Sequence, residues 1–177
     1  MPTTSVRRTY LELRDPGDLR PAQDTELQAR VQRVDPCPVD VYRALYREVG
    51  ERWHWRDRLA WSNDRLAEHL ARDRVTVFVM RVGDDVAGYF ELEQHGDDSV
   101  EIAYFGLRPE FFGRGLGGAL LTHAVREAWG LGARRVWLHT CTLDSPRALP
   151  NYLARGFLPF KEEWYTTEIP PLTAEAQ

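Results

Sequence analysis

Alternating apolar and polar residues near the start of the chain indicate two strands. Residues 9–13 and 27–34 follow the two-residue period of a half-buried strand, and a turn-rich segment that includes Pro16 and Gly17 separates them. We interpret the first segment as an added edge strand.

Two helices are predicted next, because apolar residues recur there every three or four positions. The first carries Val41, Leu45 and Val49 and is expected to end at Gly50. The second is expected to begin after Ser62, whose hydroxyl is a good N-cap. Each helix therefore has one apolar face to bury.

A segment rich in β-branched residues then predicts three antiparallel strands in a meander. The strands cover residues 75–82, 86–95 and 99–107, and Gly-Asp-Asp turns connect them.

The last third of the chain alternates between helices and strands. The predicted elements are a helix at 115–129, a strand at 134–140, a helix ending at Gly156, and strands at 157–160 and 163–169. Pro150 cannot donate a backbone hydrogen bond, so the second of these helices begins either at 144–146, with an irregular first turn, or only at 149–150. The last strand is expected to be an exposed edge, which predicts a homodimer.

Composition favours a single domain with no affinity for polyanions. The chain has 177 residues, enough for one core, which we place at about 27–165 between short disordered ends. A net charge of −4, with 23 basic and 27 acidic residues interleaved, argues against binding to nucleic acid or to an anionic membrane. Cys37 and Cys141 lie far apart, so we expect neither a disulfide nor a metal site. Without an apolar leader or spanning segment, the protein is expected to be cytoplasmic.

A cluster of glycines stands directly in front of the predicted helix at 115–129. Gly113, Gly115, Gly117 and Gly118 fall within six residues, although a glycine inside a helix costs about 1 kcal/mol relative to alanine. A strand followed by glycines and a helix presents free backbone N–H groups and a positive dipole end, which suit an anion. An ordinary tight turn is the alternative. The preceding strand ends a meander, which disfavours a dinucleotide site, and the Gly-Lys-Ser/Thr ending of a Walker loop is missing.

Two blocks of the sequence resemble the GNAT superfamily of acyl-CoA N-acyltransferases. The pyrophosphate loop of that family reads Gln/Arg-x-x-Gly-x-Gly/Ala after a strand and a proline, and this chain has Phe105 to Pro109 followed by Phe112 to Gly117. Phe112 occupies the Gln/Arg position, which is a departure from the pattern. The block from Asn151 to Phe157 is similar to the Tyr-x-x-x-Gly-Phe of the family.

The resemblance implies the fold and the cofactor. The fold would be of the α/β (α+β) class, with a mixed, mostly antiparallel sheet of six to seven strands, splayed between the fourth and fifth, and about four flanking helices. Acetyl-CoA would place its pantetheine arm in the splay and its pyrophosphate on the glycines. The residues implied to bind it are Phe105, Gly106, Leu107, Gly113, Arg114, Gly115, Leu116, Gly117, Gly118 and Asn151. For Asn151 the alternative is a helix cap.

The resemblance also suggests candidate residues for proton transfer. Glu101 lies six residues before Leu107, where some members of the family carry a catalytic glutamate, so it is our first candidate for the base. Glu91 and Glu93 are alternatives on one face of the neighbouring strand, and all three residues are also candidates simply to solvate the sheet. Tyr152 is the candidate acid, or else a packed aromatic.

Aromatic residues between the first two helices are candidates for the acceptor site. Trp53, His54 and Trp55, with Trp61 nearby, would form either a wall for a cationic or planar acceptor or a cover over the core. Glu91, Glu93, Glu101 and Asp144 would make the same end of the cleft acidic, which suits an amine. His139, at the end of a predicted strand, either faces the cleft or is a structural histidine, which is the interpretation that we prefer.

The sequence thus predicts an N-acetyltransferase that moves an acetyl group from acetyl-CoA to a primary amine of a small molecule or peptide, by direct attack in a ternary complex. The alternatives are a non-catalytic acyl-CoA-binding or regulatory module with the same fold, which the residue at Phe112 favours, and an acyltransferase that uses a longer acyl-CoA.

Overall fold

The computed structural model describes residues 1–23 and 28–169. Its elements in chain order are β1 (Thr3–Leu13), β2 (Ala29–Val34), α1 (Val39–Gly50), α2 (Asn63–Leu70), β3 (Val75–Val82), β4 (Asp85–Gln94), β5 (Ser99–Leu107), α3 (Leu116–Gly130), β6 (Arg135–Cys141), α4 (Ala148–Ala154) and β7 (Leu158–Glu168). The first residue of the strand predicted at 27–34, and the C-terminal end predicted to be disordered, lie outside the described residues. No helix of the described part is both long and apolar enough to cross a bilayer.

All seven strands belong to one sheet, in the order β2-β3-β4-β5-β6-β1-β7. Neighbours are antiparallel except β5 and β6, which are parallel. This architecture, with four helices, confirms the predicted α/β (α+β) class with a mostly antiparallel sheet.

The position predicted for the N-terminal strand is wrong. β1 lies between β6 and β7, and its Leu11 and Leu13 belong to the main core, so the core begins before residue 27. Alternation in a sequence indicates which side chains face inward, but it does not determine which strands become neighbours.

The last two predicted strands are one continuous strand, β7. A register shift against β1, between Tyr10 and Leu11, lets β7 continue past Phe160, and Pro159 is tolerated because β7 is an edge strand. Among the described residues β7 pairs only with β1 and is an edge strand, as expected for 163–169, and the homodimer stays a prediction.

The sheet splays open between β5 and β6. Within the described residues, these strands pair only where Ser99 to Glu101 meet Arg135 to Trp137. Beyond Glu101, β5 diverges from β6 and keeps only β4 as its partner. The resemblance implied a splay between the fourth and fifth strands. In chain order β5 and β6 are the fifth and sixth strands, because β1 precedes the four strands from β2 to β5.

Helices cover both faces of the sheet. On one face α3 buries Leu120, Leu121 and Val125 in the main core, whereas on the other face α1 and α2 bury a second core that includes Tyr42 and Leu66. The hydroxyl of Ser62 accepts a hydrogen bond from the Arg65 backbone N–H, which confirms the predicted N-cap of α2.

Candidate active site

One cleft of about 1050 Å³ runs from the splay to the face of the sheet that carries α1 and α2. Its walls come from β5 and β6, the connection between α1 and α2, the glycine segment, the start of α4, and the ends of β1 and β7. Of the residues proposed from the sequence, all line this cleft except Glu91, Arg114 and Trp61.

Two residues of the glycine segment adopt a backbone conformation that glycine takes more easily than other residues do. Gly113 and Gly115 both have φ of 75°, in the left-handed region that side chains disfavour. Gly115 is the N-cap of α3, and no side chain caps the free N–H groups of its first turn. A Cβ atom added to Gly117 would meet only ordinary contacts, 3.8 Å from the Asn151 amide nitrogen and 3.9 Å from Leu107.

Two other glycines are explained by packing. A Cβ on Gly106 would lie 2.5 Å from a methyl group of Val49, so this residue lets α1 approach β5. A Cβ on Gly118 would lie 2.7 Å from the guanidinium of Arg155 and 3.0 Å from Ala22. Small size at these two positions serves the fold, whether or not a ligand is bound.

Arg114, the arginine proposed from the sequence to bind the cofactor, does not line the cleft, whereas Arg147 does. Arg114 is exposed, and its guanidinium lies 5.4 Å from the centre of the Phe111 ring. Arg147, which precedes α4, lines the cleft and comes within 3.9 Å of a Cβ added to Gly113. Asn151 lines the cleft as well, and its amide donates to the Gly117 carbonyl at 3.1 Å, which ties α4 to the first turn of α3.

Glu101 and Glu93 face each other across β5 and β4, and His95 joins them. The His95 Nε2 atom lies 2.9 Å from a carboxylate oxygen of Glu101. Burial raises the pKa of Glu101; the His95 hydrogen bond and charge oppose this rise, and the carboxylates of Glu93 and Glu91 add to it. Sequence analysis missed His95, although it stands only six residues from Glu101.

A bulge in β5 brings a further residue to the cleft. Ile102 pairs with Leu92 and Tyr104 pairs with Glu91, which leaves Ala103 as the extra residue. Glu101 and Tyr104 therefore reach the same side although they are three positions apart.

The ligand atoms of Glu93, His95 and Glu101 lie within 4.8 Å of one another, which is close enough to hold a cation.

Glu91 does not line the cleft. It shares a face with Glu93, as predicted, but α1 and α2 cover it, and its side chain is 0% exposed. Its oxygens contact Tyr42 at 2.6 Å, Arg58 at 2.9 Å and His69 at 3.0 Å. Burial alone would raise the pKa of Glu91, but these partners outweigh burial and the pKa is lowered. Glu91 is therefore a candidate neither for the base nor for a substrate contact.

Tyr152 lies in α4 at the inner wall of the cleft. Its ring packs edge-on against Phe105, with centroids 6.1 Å apart, and against Phe157 at 6.2 Å. Burial raises the pKa of the Tyr152 phenol, with the charge of Asp144 as a second cause. The hydroxyl therefore stays protonated at neutral pH.

The aromatic residues after α1 have divided roles. Trp53, His54 and Trp55 line the cleft, but Trp55 also packs against the second core, with its ring 5.0 Å from that of Tyr104. Trp61 covers that core and contacts Arg58 through its ring face at 4.5 Å.

Of the two positions considered for His139, the structure has the one that faces the cleft. His139 is solvent-accessible and lines the cleft. Desolvation and the nearby charge of Arg8 lower its pKa, while the carboxylates of Asp144, Asp57 and Glu163 oppose this change. Alternation along β6 does place His139 on the face away from α3, but only the splay leaves that face open.

Comparison with known proteins identifies the family. The model of the acetyltransferase (GNAT) family matches residues 40–157. The chain belongs to the GNAT acetyltransferase family. This confirms the resemblance drawn from the glycine segment and from the block at Asn151 to Phe157.

The relatives of this GNAT protein are distant. A mycothiol acetyltransferase of Corynebacterium efficiens is 32% identical over 112 residues, which cover 61% of this chain and 38% of that protein. An uncharacterized N-acetyltransferase of Mycobacterium bovis is 32% identical over 96 residues, which cover 54% of this chain and 61% of that protein. The chain thus spans less than two thirds of these relatives.

Solved structures support the same fold. A GCN5-related N-acetyltransferase from Sphaerobacter thermophilus superposes with a TM-score of 0.66 at 18% identity, covering 97% of this chain and 53% of that one.

Proposed function

We propose that this GNAT protein transfers an acetyl group from acetyl-CoA to the primary amine of a small molecule or peptide. The observation that carries the proposal is the shared cleft, in which the glycine segment, the open edge of β5, Glu101 and Tyr152 all take part. Acetyl-CoA binding followed by release of free thiol, with a panel of primary amines, is the direct test.

The residues of the cleft suit acetyl-CoA. The pyrophosphate would bind the N–H groups at the start of α3, with Arg147 supplying positive charge in place of the side chain missing at Phe112. The pantetheine arm would lie in the splay, where Phe105, Gly106 and Leu107 have no partner in β6. Acetyl-CoA would supply the acyl group and a thiolate leaving group.

Glu101 is the residue that we assign as the base. An alkylamine is mostly protonated at neutral pH, and its nitrogen must lose a proton before or while it forms a bond to the acetyl carbon. A carboxylate with a raised pKa is better matched to that proton. His95, whose side chain is 35% exposed, orients Glu101 and connects it to solvent.

Tyr152 is the residue that we assign as the acid. As the carbon–sulfur bond breaks, the leaving thiolate needs a proton, and a buried phenol that stays protonated is able to donate one. Direct attack in a ternary complex then requires no covalent enzyme intermediate. Cys141 lines the cleft, but burial raises the pKa of its thiol, which makes it a poor nucleophile.

A non-catalytic acyl-CoA-binding module is the second candidate, because Phe112 departs from the motif of the family. Acetyl-CoA binding without thiol release for any amine would favour it. A longer acyl-CoA is a third candidate, which the same assay with longer thioesters tests.

The glycine segment gives a prediction that separates ligand binding from folding. Gly117→Ala is expected to weaken acetyl-CoA binding by about tenfold or more, because a methyl group would keep the diphosphate away from the backbone. The protein itself has room for this methyl group, so the melting temperature should not fall. Isothermal titration calorimetry measures the affinity.

Gly130→Ala is the matched control for that experiment. It lies at the other end of α3, outside the cleft, and an added Cβ meets no atom within 4 Å. Equal affinity of the wild type and Gly117→Ala for acetyl-CoA would show that the glycine segment does not hold the diphosphate.

Tyr152→Phe gives a second prediction. Turnover should fall by about 10²-fold or more, and raising the pH should not restore it, because a scarcer proton does not replace the missing donor. Steady-state rates from pH 6 to about pH 9.5 test this, with Tyr89→Phe as a control, because Tyr89 does not line the cleft and its hydroxyl has no hydrogen-bond partner among the described residues. Full activity of Tyr152→Phe would assign leaving-group protonation to water.

A further inference from the structure

Arg8 is a cationic side chain of the cleft that forms no ion pair with the described residues. It lines the cleft from β1, and no carboxylate of the described residues lies within 4.0 Å of its guanidinium. Its Nε atom is buried and has no hydrogen-bond partner among those residues. The guanidinium lies 4.9 Å from the centre of the Tyr165 ring, which also lines the cleft.

Glu163 and Asp144, two carboxylates that, like Arg8, act on His139, already have other partners. Glu163 lies directly opposite Arg8 in the pairing of β1 with β7, yet it accepts a hydrogen bond from Tyr10 at 2.9 Å and pairs with Lys161 at 2.7 Å. Asp144 accepts hydrogen bonds from the Thr140 hydroxyl and from the Cys141 backbone N–H.

Arg58 is a useful contrast, since it lines the same cleft. Its guanidinium forms a bidentate pair with buried Glu91, at 2.9 Å and 3.1 Å, so its charge is compensated inside the protein. Arg8 has no such partner. A guanidinium held against an aromatic ring with free N–H groups is well suited to bind a carboxylate.

The fold places Arg8 on the acceptor side of the cleft. Along β1, Arg8 alternates with Leu11 and Leu13, which pack on the α3 side, so Arg8 points to the opposite face of the sheet. The glycine segment that begins α3 is therefore not the partner of this charge. His139 lies on the same face as Arg8, and its pKa is lowered first by desolvation and further by the charge of the nearby guanidinium.

We propose that Arg8 binds a carboxylate of the acceptor, so that the acceptor is an amine that also carries a carboxylate, such as an amino acid or a short peptide. The amine would lie toward Glu101 and Glu93, and the carboxylate toward Arg8. The two ends of the acceptor then meet charges of opposite sign, which fixes its orientation. This inference rests on the proposed acetyl transfer.

The test compares acceptors that differ only in the carboxylate. A panel of α-amino acids and dipeptides, each paired with its C-terminal amide, is assayed for thiol release with wild type, Arg8→Gln and Arg8→Lys. Arg8→Gln should raise KM for the acids by about 10–100-fold and change KM for the amides by less than about twofold. Arg8→Lys should keep part of the preference, because it keeps the charge.

Arg7→Gln is the matched control, because Arg7 is the neighbouring arginine on the other face of β1 and does not line the cleft. Comparing variants with one acceptor at a time removes differences in amine reactivity between acids and amides. Melting temperatures of all variants establish that they are folded.

Three results would overturn the inference. The first is that Arg8→Gln raises KM equally for acids and amides. The second is that the wild-type protein acetylates the amides but neither acetylates nor binds any of the acids. Both leave the proposed acetyl transfer standing. The third is that, with both proteins saturated with CoA, Arg8→Gln binds the acids as tightly as the wild type does. By contrast, failure to bind acetyl-CoA at all would overturn the proposed function itself.

Discussion

Glu101→Gln is expected to lower turnover by about 10²–10⁴-fold and to leave acetyl-CoA affinity nearly unchanged, since general-base contributions are of that size. Glutamine keeps the shape of the side chain and its contact with His95, but it cannot accept the proton of the amine. Steady-state rates and calorimetric titration with acetyl-CoA measure the two effects separately.

The pH dependence makes this prediction specific. The pKa of Glu101 is raised, so wild-type activity should decline as pH falls through a value above that of an ordinary glutamate. In Glu101→Gln that limb should disappear, and the defect should shrink as pH rises, because more of the acceptor is neutral without help.

Two controls bracket the result. Glu93→Gln tests the neighbouring carboxylate in the cleft, and Glu162→Gln tests an exposed glutamate of β7 that lies outside it. A large but pH-independent loss in Glu101→Gln would indicate that Glu101 positions the substrate. Wild-type activity in Glu101→Gln would transfer the base role to Glu93 or to water.

Arg58→Met is expected to lower the free energy of unfolding by about 3–5 kcal/mol, because it leaves a fully buried carboxylate without its charged partner. Glu91 would keep only Tyr42 and His69. Urea unfolding measures the change. Arg33→Met is the matched control: its pair with Asp35 has a contact of 2.7 Å, as short as that of Arg58 with Glu91 at 2.9 Å, but the side chains are 52% and 39% exposed, so the loss should stay below about 1 kcal/mol.

The sign of the pH effect follows from the pKa of Glu91. In the wild type that pKa is lowered, so the stabilisation is present above the ordinary value of 4.5 and is lost as pH falls through the folded value. In Arg58→Met, burial without compensation should raise the pKa, so the carboxyl is protonated at higher pH and the deficit shrinks on acidification. A deficit that does not depend on pH would indicate lost packing instead of lost charge.

A double variant, Arg58→Met with Glu91→Gln, isolates the pair. Its loss should be smaller than the sum of the two single losses, because each single change strands the other group. Additive losses would mean that the two side chains contribute independently.

Arg58 also connects stability to the cleft. It belongs to the connection between α1 and α2, which carries Trp53, His54 and Trp55 to the cleft wall. Its ion pair with Glu91 fixes that connection to β4. The ion pair therefore positions this wall of the cleft, although sequence analysis considered Glu91 only as a base, a substrate contact or a residue that solvates the sheet.

The sequence by itself determined most of the elements and the family. Local patterns sufficed for α2, with its Ser62 cap, and for the meander from β3 to β5, because capping and alternation depend on residues close in the chain. The glycine segment was recognisable for the same reason, since positive φ at Gly113 and Gly115 favours glycine at those positions.

Tertiary structure alone decided which side chains meet in the cleft. The insertion of β1 between β6 and β7 brought Arg8 to the cleft, and the packing of α1 and α2 covered Glu91 while it left Glu93 open. The splay exposed His139. These outcomes depend on contacts between residues far apart in the chain, and the two-residue period of a strand specifies the face of a side chain but not what covers that face.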